Sequence, residues 1–227
     1  MVVKKSKAHN KKQKKRIFIY NFTICILIFT FFSGCIAQDI TNIDSKGKNV
    51  ICFGDSITAG EGAGPGEAYT VYLAKKLAPY PVIRSGVDGE ITTEALERIQ
   101  SDVLDKDPLL VIIEYGGNDF LRKIPLEKTL ENLEKMIKFC QRKGAMVALC
   151  EMRAGIIMKE YSPLYRKLAR KYKTIVVSNL LSGIWSNPKL LSDVVHPNAQ
   201  GYELIATKVY WAIKPALLKN QIERNKT

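Results

Sequence analysis

The pattern of this chain predicts an α/β fold. A five-stranded parallel sheet should lie between two layers of helices, doubly wound in the flavodoxin-like manner. Three observations lead there. From residue 49 onward, five short apolar runs alternate with longer amphipathic stretches. The clearest run, Leu109-Leu110-Val111-Ile112-Ile113, is unbroken, as a strand buried on both faces requires. Several runs end in glycine-rich or small polar residues, at the edge of the sheet where such folds bind ligands.

The first 35 residues are read apart from that fold. Eight of the chain's 35 bases and none of its 22 acids fall in residues 1–34, so the net charge of +13 drops to +5 without them. The basicity therefore belongs to a leader and gives no reason to expect a nucleic-acid partner. Residues 17–32 form an apolar run of 16, followed by Ser33-Gly34-Cys35. A basic start, an apolar middle and small residues at the boundary make a secretory signal. The boundary resembles the bacterial lipobox, whose cysteine is acylated, although Phe32 stands where Leu is usual. The run is shorter than the ~20 residues that span a bilayer comfortably. Residues 1–35 are thus expected to be a lipoprotein-type signal with Cys35 as the lipid site. Residues 36–48 should be a polar tether, 49–219 the folded domain and 220–227 a polar tail. The domain should work in the cell envelope, outside the cytoplasm and attached to a membrane. A chain with 46% hydrophobic residues is rich enough in apolar side chains to build one sizeable core at this length.

Along the domain, strands are expected at residues 50–53, 81–83, 109–115, 145–150 and 174–177. Helices are expected at 68–78, 92–104, 126–143, 160–172 and about 198–218. In the third helix Leu126, Leu130, Leu133 and Ile137 fall on one stripe, and Leu96, Ile99 and Val103 do the same in the second. Of five cysteines, Cys25 lies in the leader and Cys35 is the lipid candidate. Cys52 and Cys150 sit in strands and Cys140 on an apolar helix side, which reads as buried free thiols. In an oxidising compartment a Cys140–Cys150 bridge also stays open. With no C-x-x-C and a single histidine after the leader, neither a zinc site nor any other metal is expected.

The strand ends carry the chemistry. Gly54-Asp55-Ser56 closes the first strand, where a tight turn lifts Ser56 to the rim and a helix start aims free N–H groups nearby. Gly86 and Gly89 follow the second strand and let backbone pass close to a ligand. After the third, Gly116-Gly117-Asn118-Asp119 exposes an amide able to donate. Near the C-terminus, Asp193 precedes His196 by three, so a turn can bring its carboxylate to one imidazole nitrogen and leave the other free as a base. Apolar residues beside these turns (Phe120, Leu121, Ile124, Pro125, then Ala154, Ile156, Ile157 and Met158) form the expected lining of a pocket beside Ser56.

In order and spacing, Gly-Asp-Ser56, Gly89, Gly-Gly-Asn118-Asp and Asp193-x-x-His196-Pro resemble the SGNH hydrolases, the GDSL esterase/lipase family. The likeness spans residues 49–215. Residues 114–122 are especially similar to the branch holding thioesterase I/lysophospholipase and arylesterases. The resemblance implies a serine ester hydrolase working through an acyl-serine, with Ser56 as nucleophile, His196 as base and Asp193 orienting it. It implies an oxyanion hole from the backbone N–H groups of Ser56 and Gly89 and the Asn118 amide. No cofactor is implied, and the partner is a small-molecule or lipid acyl ester. One block departs: Gly89-Glu90-Ile91 stands where the family usually shows Gly-Asp-Thr. Two alternatives remain, an O-acetylesterase of carbohydrate or peptidoglycan and a non-catalytic ligand-binding lipoprotein. The α/β-hydrolase class is excluded because Ser56 lies outside a G-x-S-x-G motif.

Overall fold

The computed structural model describes residues 39–152 and 158–226. The expected leader with Cys35 lies outside them, as do Ala154, Ile156 and Ile157. No helix among the described residues is long and apolar enough to cross a membrane. The five strands are β1 (Asn49–Gly54), β2 (Val82–Gly86), β3 (Pro108–Glu114), β4 (Met146–Cys150) and β5 (Ile175–Val177). They pair in parallel in the order β2-β1-β3-β4-β5. Seven helices accompany them: α1 (Ser56–Ala59), α2 (Tyr69–Leu77), α3 (Thr92–Asp102), α4 (Gly117–Leu121), α5 (Leu126–Arg142), α6 (Tyr161–Lys171) and α7 (Ala199–Arg224).

Side chains alternate across a strand, so each apolar run feeds two cores. Val50 and Cys52 of β1, Leu110 and Ile112 of β3, and Met146, Ala148 and Cys150 of β4 face one side, under α2 and α7. Ile51, Phe53, Val111, Ile113, Val147 and Leu149 face the other, under α3, α5 and α6. This is the expected three-layer sandwich. It also settles the cysteines: Cys150 belongs to the first core and Cys140, on α5, to the second. The sheet stands between them, so both are free and buried, and the bridge left open above does not form. Burial pushes the thiols of Cys52 and Cys140 up to about 12, which keeps them protonated and inert.

Two expected boundaries move. The segment read as a tether is part of the domain from residue 40. Thr41 N–H donates to the Lys173 carbonyl at 3.1 Å, and the Asn42 amide donates to the Gln141 and Ala145 carbonyls at 2.7 and 3.0 Å. The segment read as a polar tail is the end of α7. There Asn220 is fully buried, and its amide donates to the carbonyls of Ile43 and Ser45 at 2.8 and 3.0 Å. Composition misled in both places because these side chains satisfy backbone groups inside the protein instead of facing water.

Residues 40–48 therefore form a strap fastened to α7. Removing the clasp leaves two buried carbonyls unpaired, which costs about 1–3 kcal/mol. Asn220→Ala should lower the unfolding free energy by that amount in urea titrations. Asn225→Ala, on the exposed end of the same helix, should stay within about 0.5 kcal/mol of the parent. Equal midpoints for the two variants would show that the strap is held by something else.

Candidate active site

β1 delivers Ser56. Its last residue, Gly54, leads into Asp55, which caps α1 by accepting the Ile57 N–H at 3.1 Å, and Ser56 is the first helical residue. Gly86 ends the neighbouring β2 so close to α1 that a Cβ would collide with the Ala59 backbone. Glycine there lets the two strand ends lie side by side.

His196 arrives from the other end of the chain. Asp193 Oδ1 accepts the N–H groups of Val195 and His196 at 2.8 and 2.7 Å, winding 193–196 into a tight turn. Its Oδ2 lies 2.7 Å from His196 Nδ1. A carboxylate only accepts, so Nδ1 carries the proton and Nε2 faces Ser56 Oγ at 3.1 Å with a lone pair free. The backbone bond from His196, its ring and the Val195 N–H hold the Asp193 carboxyl down at about 2, so it is ionised across the physiological range. The turn is fixed from outside by Trp185, whose Nε1 donates to the Val195 carbonyl at 2.9 Å, and by Asn198, which caps α7. Serine hydroxyl, imidazole and carboxylate thus stand in one hydrogen-bonded line, able to activate the hydroxyl as a nucleophile.

Of the expected donors, Ser56 and Asn118 line one cavity, together with Asp88 beside Gly89. Ser56 N–H and Gly89 N–H have no acceptor among the described residues, and Gly89 lies in a turn at φ +70°. Asn118, on α4, is already engaged. Its Nδ2 donates to Asp55 Oδ2 at 3.2 Å and to the Glu90 carbonyl at 3.1 Å. The amide is therefore a fixed dipole rather than a free side chain. At the departure from the family pattern, the Glu90 carboxylate is taken up by Arg98 and Tyr115.

Beneath Ser56 lies a pair of buried carboxyls. Glu114 ends β3 without any exposure, accepting the Thr58 hydroxyl at 2.9 Å, and its carboxyl meets that of Asp55. Burial, above all, raises Asp55 to about 6 and Glu114 well beyond the usual carboxylate range. Glu114 stays protonated and donates to Asp55.

A cavity of about 410 Å³ opens beside Ser56 and His196. Its apolar wall includes Ile57, Phe120, Leu121, Met152, Met158, Leu181 and Trp185. Of the lining expected from sequence, Phe120, Leu121 and Met158 are present, whereas Ile124 and Pro125 do not line the cavity. Leu181 and Trp185 were missed. Their signal was the apolar cluster directly after the fifth strand, at the same sheet edge as the other turns. No cluster of three metal-ligating side chains occurs among the described residues.

Residues 52–204 match the model of the GDSL-like lipase/acylhydrolase family. Esterase TesA of Pseudomonas aeruginosa is 27% identical over 195 residues, covering 82% of this chain and 97% of that protein. An arylesterase of Vibrio mimicus is 28% identical over 169 residues, covering 70% and 84%. The crystal structure of esterase EstA from Pseudoalteromonas sp., inhibited by monoethylphosphonate, superposes with a TM-score of 0.69 at 26% identity, over 75% of this chain and 98% of that one. Sheet order, strand-end residues and matched span agree: the chain belongs to the GDSL-like lipase/acylhydrolase family and is an ester hydrolase with the SGNH fold.

Proposed function

We propose that the protein hydrolyses acyl esters or thioesters through an acyl-Ser56 intermediate, and that Ser56, His196 and Asp193 act as its catalytic triad. The observation that carries this is the hydrogen-bonded line from Asp193 through His196 to Ser56 at the mouth of an apolar cavity. Ser56 Oγ attacks the acyl carbonyl while His196 Nε2 takes its proton, and the Asp193 carboxylate stabilises the imidazolium. The carbonyl oxygen becomes an oxyanion, received by the N–H groups of Ser56 and Gly89 and by the Asn118 amide. His196 then protonates the departing alkoxide or thiolate, leaving the acyl group on Ser56. Water, deprotonated by His196, attacks the acyl-serine, and Ser56 leaves with that proton. In the resting site both Asn118 N–H groups are taken, by Asp55 and by the Glu90 carbonyl, so donation to the oxyanion exchanges the longer of these bonds, the one to Asp55, for one to the substrate.

Ser56→Ala should abolish hydrolysis of p-nitrophenyl esters and labelling by a fluorophosphonate. Asn118→Ala should lower kcat by about 10²–10³. Full activity in Ser56→Ala would end the serine mechanism, whereas full activity in Asn118→Ala would remove only that donor.

The cavity wall favours alkyl groups over sugars, and its volume lies toward the lower end of ligand pockets. At about 0.8 kcal/mol per buried CH₂, four extra methylenes favour a C6 acyl group over acetyl by about 3 kcal/mol. A chain-length series of esters should therefore give kcat/KM rising by about 10² from C2 to C6 and falling for long chains. A peak at C2, or activity confined to an acetylated glycan, would favour the O-acetylesterase reading instead.

The buried carboxyl under Ser56 carries a signature in stability. Asp55 titrates at about 6 in the folded protein against 3.8 ordinarily, so folding favours its protonated form. That contribution is complete below about pH 4 and is lost as pH rises through about 6. The Asp55→Asn protein should lack this loss, and the difference between the two stability curves should grow between those values. Parallel curves would place the Asp55 carboxylate in a solvated setting and remove the buried pair.

A further inference from the structure

The three proposed oxyanion donors follow three strands, and one half-buried cation touches the ends of all three. Arg98 lies on α3 with its side chain only 17% exposed, its guanidinium 4.6 Å above the Phe53 ring. At the end of β1 its Nη2 approaches the Gly54 carbonyl at 3.4 Å, two residues before Ser56. At β2 its Nη1 donates to Ser85 Oγ at 2.7 Å and its Nη2 to the Ser85 carbonyl at 3.3 Å. In the next turn Nε and Nη2 bind both Glu90 carboxylate oxygens, at 2.7 and 2.6 Å. At the end of β3 Nη2 donates to Tyr115 OH at 2.8 Å, and that hydroxyl donates onward to Glu90 at 2.5 Å. Asp102, on α3 itself, takes the remaining Nη1 donor at 2.6 Å.

The Glu90 carbonyl is the acceptor that holds the Asn118 amide, and Glu90 follows Gly89 directly. Tyr115 stands three residues before Asn118. Holding the Glu90 side chain thus fixes the residue whose carbonyl anchors the Asn118 dipole and restrains the adjoining Gly89. A well-packed apolar cluster would serve stability as well as a buried ion pair does. What a guanidinium offers beyond that is rigid, planar, multidentate geometry.

We propose that Arg98, acting through Glu90 and Tyr115, is the positioning residue of the oxyanion site, setting the Gly89 and Asn118 donors in register with Ser56. This rests on the serine mechanism proposed above. It assigns Arg98 no contact with substrate: its effect passes entirely through the donors it holds.

The test uses the full chain, with Arg98→Met, Glu90→Gln and Asn118→Ala singly, and Arg98→Met combined with Asn118→Ala. Arg98→Met should lower kcat by about 10- to 100-fold with KM within threefold, since one oxyanion donor is itself worth about 10²–10³. In the Asn118→Ala background the same substitution should cost at least threefold less than in the parent, because one of the two donors it positions is already gone. Glu90→Gln keeps the shape and part of the hydrogen bonding, so it should lose about tenfold in kcat with the same KM pattern. It decides the matter if Arg98→Met does not fold. Losses that are equal in both backgrounds, or kcat within twofold of the parent in the folded variants, would overturn the proposal. Ser56→Ala, measured alongside, separates the two levels. If it is inactive while Glu90→Gln and Arg98→Met are fully active, only the positioning role fails. If it is active, the serine mechanism fails and this role with it.

Discussion

Every strand of the central sheet except its edges is packed on both faces, and that constraint shapes everything else. A β1 or β3 side chain has no polar surroundings to enter, so polar chemistry is confined to the ends of the strands. Parallel pairing then puts all the C-terminal ends along one edge. Ser56, Asn118 and the cavity wall meet there because the turns after β1 and β3 are the first places where the chain can leave the apolar sandwich. The short turns allow no slack, and helices α1 and α4 begin almost at once after β1 and β3.

At that edge, carboxyl groups of the same chemistry are sorted by environment. Asp193 is exposed, wrapped by N–H donors and fully ionised. Asp55 and Glu114 lie under the sheet edge, share a proton and are raised by burial. The first can stabilise a cation forming beside it, while the second pair, joined by one proton, is a brace that holds α1 and Asn118. Glu90 is a third kind, with both oxygens taken up by Arg98 and Tyr115. Divergent environments for neighbouring acids separate the group that can meet reacting charge from those that hold the frame.

Much of this was legible in the chain because the decisive patterns are local. An unbroken Leu-Leu-Val-Ile-Ile run specifies a two-sided strand, Gly-Asp-Ser a turn that lifts a hydroxyl, and Asp-x-x-His a carboxylate within reach of an imidazole. What stayed hidden depends on partners far away in sequence. Asn42 and Asn220 look like tether and tail residues until the carbonyls they satisfy are known. Which face Cys140 and Cys150 occupy follows from register and helix placement, not from their spacing. Arg98 resembles an ordinary helix-surface base, and only the convergence of three strand ends reveals how many groups it holds. Leu181 and Trp185 form part of the cavity through a loop whose path no local pattern fixes.

α7 runs 26 residues, about 39 Å at 1.5 Å per residue, from the cap beside His196 to the clasp on Ile43 and Ser45. Its inner face also supplies much of one core. The helix lies C-terminal to every strand of the sheet, and His196, 140 residues after Ser56, stands on the turn that leads into it. One rod therefore closes a core, fastens the strap and anchors the turn that brings the imidazole to Ser56. With that rod undocked, Ser56 would stand without its imidazole partner.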